Sequence, residues 1–162
     1  MIKYLPRLIV IFLLSSFTLY GSLKSFYNNK ITIDSFTYEV KPNSSILDLY
    51  NGIYESNNFF DKSLFLLGIY LFDFRTIQAG EYLIDDSLFK VLTRMKLGET
   101  ITYKFVISDG TNKFDLNSYI NTLKLNNNCE DFSCIDLIND SIEGLLLPDT
   151  YFYKKNTNLS LL

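Results

Sequence analysis

The sequence contains no histidine and no tryptophan among its 162 residues. The lack of histidine excludes Ser–His and Cys–His nucleophilic pairs. Acid–base chemistry near neutral pH then falls to Asp or Glu with a shifted pKa, or to Lys or Tyr. Metal binding is left to carboxylates and two cysteines, and the sequence implies neither a metal nor another cofactor. Any aromatic stacking surface depends on 12 tyrosines and 14 phenylalanines.

Cysteine is scarce, and both copies occur in one short segment, NNNCEDFSC, as Cys129 and Cys134. Two cysteines cannot close a structural zinc site without other ligands. Outside the cytoplasm they could form a local disulfide, because the loop between them is small enough to bring the sulfurs together. Two buried thiols are the alternative, and the sequence leaves both open.

Positive charge is limited as well. The formal net charge is -3, and no basic stripe occurs outside the extreme N-terminus, so nucleic acid is not an expected partner. Hydrophobic residues make up 48% of the chain, which is enough for a packed core. The length suits one ordinary domain or two very small ones.

The N-terminus carries an uncharged apolar run over residues 8–23, with Lys3 and Arg7 before it and Lys24 after it. As a helix this run is about 24 Å long, slightly less than the hydrocarbon core of a bilayer. The preceding charges favour a cytoplasmic N-terminus with the remainder exported. We predict an uncleaved single-pass anchor. The alternative is a signal peptide, for which Gly21-Ser22 is a weak cleavage site.

The exported part predicts an α+β fold. Apolar spacing indicates a strand at 36–40, followed by two helices and a short strand up to Ile84. A third helix is expected from Asp86 or Ser87 to about Leu97. A strand at 101–107 and a fourth helix to about Leu123 follow it. Ser44 is the expected cap of the first of these helices. The predicted divisions are a cytoplasmic tip and membrane anchor (1–24), a polar stalk (25–35), a β-α-α-β subdomain (36–84) and a second domain (85–162).

The segment EGLLLPDTYFY, residues 143–153, is unusual so close to the last residue. A terminal helix would not favour Gly144 or Pro148, and a solvated tail would not contain three leucines and three aromatic residues. The pattern indicates the beginning of further structure.

Four segments in order resemble one family: YEVKPNSSILDLYNGI, IQAGEYLIDDSLFKVLTRMKLGE, VISDGTNKFDLNSYINTL and EGLLLPDTY. Following an N-terminal anchor, they are similar to the YceG-like endolytic murein transglycosylases, the MltG family, over nearly the whole chain. EGLLLPDTY matches the family's E-G-x-x-x-P-D-T-Y at each fixed position. AGEY matches AG-x-Y. Asp109 departs from the pattern, since the family usually has Glu before that glycine.

This resemblance implies a LysM-like subdomain at 36–84, followed by the incomplete start of a YceG-like catalytic domain. It implies a lytic transglycosylase of the bacterial inner membrane, with its bulk periplasmic. Such enzymes cleave between N-acetylmuramic acid and N-acetylglucosamine and leave 1,6-anhydro ends. The implied partners are peptidoglycan glycan strands, the cytoplasmic membrane and cell-wall synthases. The resemblance places the catalytic glutamate beyond Leu162, so we expect no catalytic residue here and an inactive chain.

The resemblance makes Glu143, Asp149, Thr150 and Tyr151 the candidate substrate-binding residues. For Glu143 the alternatives are a catalytic role, a position lining the cleft and an anchor for a turn. Asp149 and Thr150 could instead stabilise a turn through their own backbone, and Tyr151 could belong to the core. For residues 36–84, glycan binding and a spacer role remain open. The alternative function for the chain is a non-catalytic peptidoglycan-binding or scaffold module.

Overall fold

The computed structural model describes residues 5–31, 34–54, 58–128 and 147–161. The chain forms two compact units, Met1–Glu99 and Thr100–Leu162. Both contain helices and an antiparallel strand pair, so the predicted mixed α+β class is confirmed.

Helix α1, Leu5–Asn28, begins as an isolated apolar rod and ends as part of a core. Its residues 6–21 are exposed, whereas Leu23 and Tyr27 are buried. From Pro6 to Asn28 the helix is long and apolar enough to cross a membrane. The predicted anchor ended at Lys24 and a polar stalk followed. The start of the predicted stalk at residue 25 is wrong, because the helix continues to Asn28 and Tyr27 packs in the core of the first unit.

The first unit contains the predicted β-α-α-β order: β1 (Phe36–Val40), α2 (Ile46–Ile53), α3 (Phe59–Leu71) and β2 (Gly80–Ile84). β1 and β2 pair antiparallel, with Phe36 opposite Ile84 and Val40 opposite Gly80. Helix α3 begins at Phe59, earlier than the expected Asp61 or Ser63. The reason is that the Asn58 side chain accepts a hydrogen bond from Phe60 N at 3.1 Å and so caps the helix.

Helix α4, Leu88–Leu97, packs on α1 and β2. Its inner side chains, Val91, Leu92 and Met95, are fully buried in one cluster with residues of the β-α-α-β segment. Gly98 ends the helix in the left-handed conformation at φ 71°, as predicted. The compact unit that contains α4 extends to Glu99, and the domain boundary predicted after Ile84 stays a prediction.

The second unit is built on β3 (Thr102–Val106), α5 (Lys113–Ile120) and β4 (Thr150–Lys154). The strands pair antiparallel, with Thr102 opposite Lys154. A short 3-10 turn follows at Leu159–Leu161. The helix predicted to about Leu123 ends at Ile120. Cys129 and Cys134 lie outside the described residues. Among the described residues of this unit, a buried cluster is formed by Phe105, Ile107, Leu116, Ile120 and Tyr153.

A close contact between Tyr27 and α3 joins the end of α1 to the rest of the first unit. The Tyr27 hydroxyl donates a hydrogen bond to Phe65 O at 2.6 Å. Its ring lies so close to Gly68 that a Cβ there would be 2.2 Å from the ring carbons. Gly68 therefore provides the space that the Tyr27 ring occupies.

We predict that Gly68→Ala destabilises the first unit. The new methyl group overlaps a buried, hydrogen-bonded ring, and overpacking of this kind costs about 1–3 kcal/mol, only partly offset by the better helix propensity of alanine. The urea midpoint of the chain in detergent micelles should fall. Gly21→Ala is the matched control, because no atom lies within 4 Å of its new Cβ. Equal midpoints for the two variants would contradict this account.

Candidate functional site

The predicted residues Asp149, Thr150 and Tyr151 come together at the start of β4. The exposed Asp149 carboxylate accepts a hydrogen bond from Thr150 N at 2.6 Å. Asp149 O accepts another from Ile107 N at 3.0 Å, which extends the strand pairing. In this structure Asp149 therefore stabilises the junction where the chain enters β4. Glu143 lies outside the described residues, so its role stays a prediction.

Tyr151 is held by packing on one side of the β3–β4 pair. Its ring stacks on Phe105 with centroids 5.2 Å apart, and its hydroxyl donates to Leu147 O at 2.9 Å. One face of the ring is thus covered by Phe105. Sugar stacking by Tyr151 would have to use the opposite face or the ring edge.

The opposite side of the same strands exposes Phe152, which is not among the predicted substrate-binding residues. Phe152 is 65% exposed and pairs with Lys104, while Val106 on the same side is 48% exposed. Alternation along a strand places 151 and 153 on one face and 152 on the other. This period of two could have identified Phe152 as the exposed aromatic residue of the motif.

A groove in the first unit is the better-formed site. It lies between the β1–α2 turn and the chain that leads into β2, and encloses about 290 Å³. Val40, Ile46, Leu49 and Ile77 supply its apolar lining. Its polar lining comes from Lys41, Asn43, Ser44, Ser45 and Arg75. This combination of an apolar floor and a few polar groups is typical of small-ligand sites, and the volume suits a group the size of one sugar ring.

The turn on one side of the groove is fixed by local hydrogen bonds. Asn43 adopts φ 62°, and Ser44 N donates to Lys41 O at 3.2 Å. Ser45, rather than the predicted Ser44, caps α2: its Oγ accepts from Asp48 N at 3.1 Å, while Asp48 Oδ2 accepts from Ser45 N at 2.9 Å. The hydrogen bonds from the Ser45 backbone and side chain hold the pKa of Asp48 below its ordinary value.

Arg75 provides a positive charge on the other side of the groove. Its guanidinium contacts Asp73 Oδ1 at 3.1 Å and lies 5.7 Å from the centre of the Tyr70 ring. Lys96 donates to Asp73 Oδ2 at 3.1 Å. These hydrogen bonds, first from Lys96 and then from Arg75, lower the pKa of Asp73. The cation is therefore held beside the groove by a small ionic network.

The lining of the groove offers polar, apolar and cationic groups. Among the described residues, its lining includes no Asp or Glu side chain. The described part of the chain also contains no group of three or more Cys, Asp or Glu residues placed to hold a metal ion. The chemistry available here is hydrogen bonding, apolar contact and charge complementarity.

The sequence model of the YceG-like family matches residues 38–161, most of the chain, and includes both the groove and the β4 motif. The chain belongs to the YceG-like family. The resemblance read from its motifs is thereby confirmed. A search of curated proteins gave no match.

A crystal structure of a YceG-like protein from Listeria monocytogenes is similar to this YceG-like chain at 19% identity and a TM-score of 0.37. The similarity covers 77% of this chain and 50% of that one. The present chain therefore spans half the length of that relative.

We predict that Asp48→Asn reduces the acid sensitivity of the first unit. The folded-state pKa of Asp48 is lowered, so its contribution to stability is present above the unfolded-state pKa and is lost as the pH falls through the folded-state value. The wild-type urea midpoint should decrease more than that of Asp48→Asn between about pH 7 and about pH 2.5. Ser44→Ala, next to the cap but outside it, should respond like the wild type. An unchanged response in Asp48→Asn would exclude this role.

Proposed function

We propose that this chain is the membrane-anchored, glycan-binding part of an endolytic peptidoglycan lytic transglycosylase. Its membership of the YceG-like family over residues 38–161 supports the activity class. Helix α1 supports an anchor in the inner membrane, and Lys3 and Arg7 favour a cytoplasmic N-terminus with the residues that follow α1 in the periplasm. The single observation that carries the glycan-binding role is the groove beside the β1–α2 turn.

Lytic transglycosylases need one carboxylic acid whose pKa is raised by an apolar environment. The acid protonates the oxygen between N-acetylmuramic acid and N-acetylglucosamine. As that bond breaks, the same group, now a carboxylate, accepts the proton of the sugar's 6-hydroxyl. The 6-oxygen closes on the anomeric carbon and leaves a 1,6-anhydro end. Two-carboxylate hydrolases differ, because water or the second carboxylate attacks there.

The groove has the chemistry to hold an N-acetylated sugar. Val40, Leu49 and Ile77 offer an apolar floor for the acetyl methyl group and the C–H face of the ring. Ser44 and Asn43 offer donors and acceptors at its edge. Lys41 and Arg75 offer cations for the carboxylates of peptide stems. A LysM-like role for the β-α-α-β segment agrees with this arrangement, because its first loop and the loop before β2 form the two walls.

The second candidate function is a non-catalytic peptidoglycan-binding or scaffold module. The observation that favours it is the lack of a carboxylate in the lining that the structure describes. The transglycosylase and the peptidoglycan-binding module both need glycan binding, and they differ in the appearance of new 1,6-anhydro ends. Cell-wall synthases are further candidate partners of either.

We predict that Ala79→Phe blocks glycan binding. Ala79 lines the groove, and a phenyl group there would occupy the space of the sugar. Retention on purified sacculi, and the Kd for soluble glycan strands, should weaken by roughly tenfold or more, equivalent to about 1.4 kcal/mol. Thr76→Phe is the matched control, since it is small, exposed and outside the lining. Equal loss in both variants, or no loss in Ala79→Phe, would exclude the groove as the glycan site.

The enzymatic part is tested separately with the product of the full gene reading frame in liposomes and uncrosslinked glycan strands as substrate, because residues 1–162 by themselves are expected to be inactive. Mass spectrometry of the strands should show new 1,6-anhydro ends if the protein is the transglycosylase. Strands that are retained but carry no new anhydro ends would instead support the binding module.

A further inference from the structure

A second groove lies where α1 passes from its exposed stretch into the core of the first unit. It encloses about 190 Å³ and is lined by Tyr20, Leu23, Lys24, Tyr27, Asn28, Phe72 and Phe89. The first five come from α1, whereas Phe72 follows α3 and Phe89 belongs to α4. The groove is therefore walled partly by the apolar helix and partly by the folded unit.

Aromatic contacts build the wall contributed by the folded unit. The Tyr27 and Phe72 rings meet edge to face at 5.1 Å, and Phe72 meets Phe89 in the same way at 5.6 Å. Phe89 nevertheless remains 38% exposed. Beside Phe72, the last turn of α3 exposes Tyr70 and Leu71 at 69% and 58%. Exposed apolar surface is thus present on α1, α3 and α4 around the groove, and Lys24 and Asn28 supply its polar groups.

The position of the groove along α1 sets its depth relative to a bilayer. The uncharged run ends at Leu23, so the edge of the hydrocarbon core falls close to Lys24. The groove extends from Tyr20 to Asn28, about 12 Å of helix. Each headgroup layer is roughly 5–8 Å thick. The groove therefore spans the headgroup layer and the adjacent edge of the hydrocarbon.

The lining has the composition that suits this layer. Tyrosine rings are enriched at membrane interfaces because one end is apolar and the other is polar. A lysine at the end of the span can extend its ammonium group to the phosphates. Phe72 and Phe89 supply apolar surface at the same level.

We infer that this juxtamembrane groove takes the glycerol and upper acyl part of a membrane phospholipid, with the Lys24 ammonium beside the phosphate. The inference rests on the membrane anchoring proposed above and goes beyond it, because it assigns lipid contacts to α3 and α4 of the exported unit. The phospholipid then forms part of the packing that holds this unit against the bilayer.

The chain contains no tryptophan, so single tryptophans can report on depth. Four variants are reconstituted in vesicles containing phosphatidylcholine brominated close to the headgroup or near the chain ends. Phe12→Trp reports on the exposed span, Phe89→Trp on the groove and Phe59→Trp on the far end of α3, where the side chain is 84% exposed. Phe72→Trp is a second groove reporter, and circular dichroism checks that each variant folds.

We expect the headgroup-proximal bromines to quench Phe89→Trp strongly and to shift its emission to the blue, while Phe59→Trp keeps most of its fluorescence. Phe12→Trp should be quenched best by the deep bromines. One outcome would exclude the lipid groove and still support the membrane anchor. In that outcome Phe12→Trp is quenched, whereas the two groove reporters, Phe89→Trp and Phe72→Trp, are quenched no more than Phe59→Trp. If Phe12→Trp is not quenched, both the anchor and the groove proposal are overturned.

The phosphate contact is tested by native mass spectrometry of protein released from nanodiscs that contain phosphatidylglycerol. Lys24→Gln should retain roughly fivefold less lipid than the wild type, the effect expected for one basic residue at an anionic surface. Lys104→Gln removes the same charge from β3 of the second unit and should retain as much as the wild type. Equal retention by the two variants would exclude Lys24 as the phosphate ligand.

Discussion

The packing of Tyr27 against Gly68 is the constraint on which the first unit depends. It brings the last turns of an apolar helix into the core, where the Tyr27 hydroxyl donates to Phe65 O. Ile31 N then donates to Asp86 O at 3.3 Å and ties the chain after α1 to the residues before α4. Since α4 also packs on β2, the helix, the strand pair and the groove at the β1–α2 turn belong to one packed body.

Much of the fold could be predicted because the deciding signals are local. The strand alternation at 36–40, the apolar spacing of α2 and α4, and Gly98 after α4 each depend on neighbouring residues. The extension of α1 through Tyr27 could not be predicted in this way. The residues after Lys24 are Ser, Phe, Tyr, Asn, Asn and Lys, which show no clear helical pattern by themselves, and the partner of Tyr27 in α3 lies 38 positions away in the sequence.

The candidate site was predictable in part. The E-G-x-x-x-P-D-T-Y pattern predicted Asp149, Thr150 and Tyr151 as site residues. In the structure they lie where the chain enters β4, which pairs with β3. The groove is formed by two loops about 30 residues apart, and although both belong to segments that resemble the family, neither segment by itself shows that the two loops meet. Its shape depends on the pairing of β1 with β2, which brings residues 41–45 beside residues 75–79.

The unbroken course of α1 has a geometric consequence. Because α1 is continuous from the exposed stretch to the packed one, no hinge in the described residues separates them, and the two stretches turn together. One additional helical residue between Gly21 and Leu23 would raise the packed part of the first unit by about 1.5 Å and turn it by about 100° relative to the exposed stretch. The number of residues in α1 therefore fixes the direction in which the β1–α2 groove faces relative to the exposed stretch of the helix.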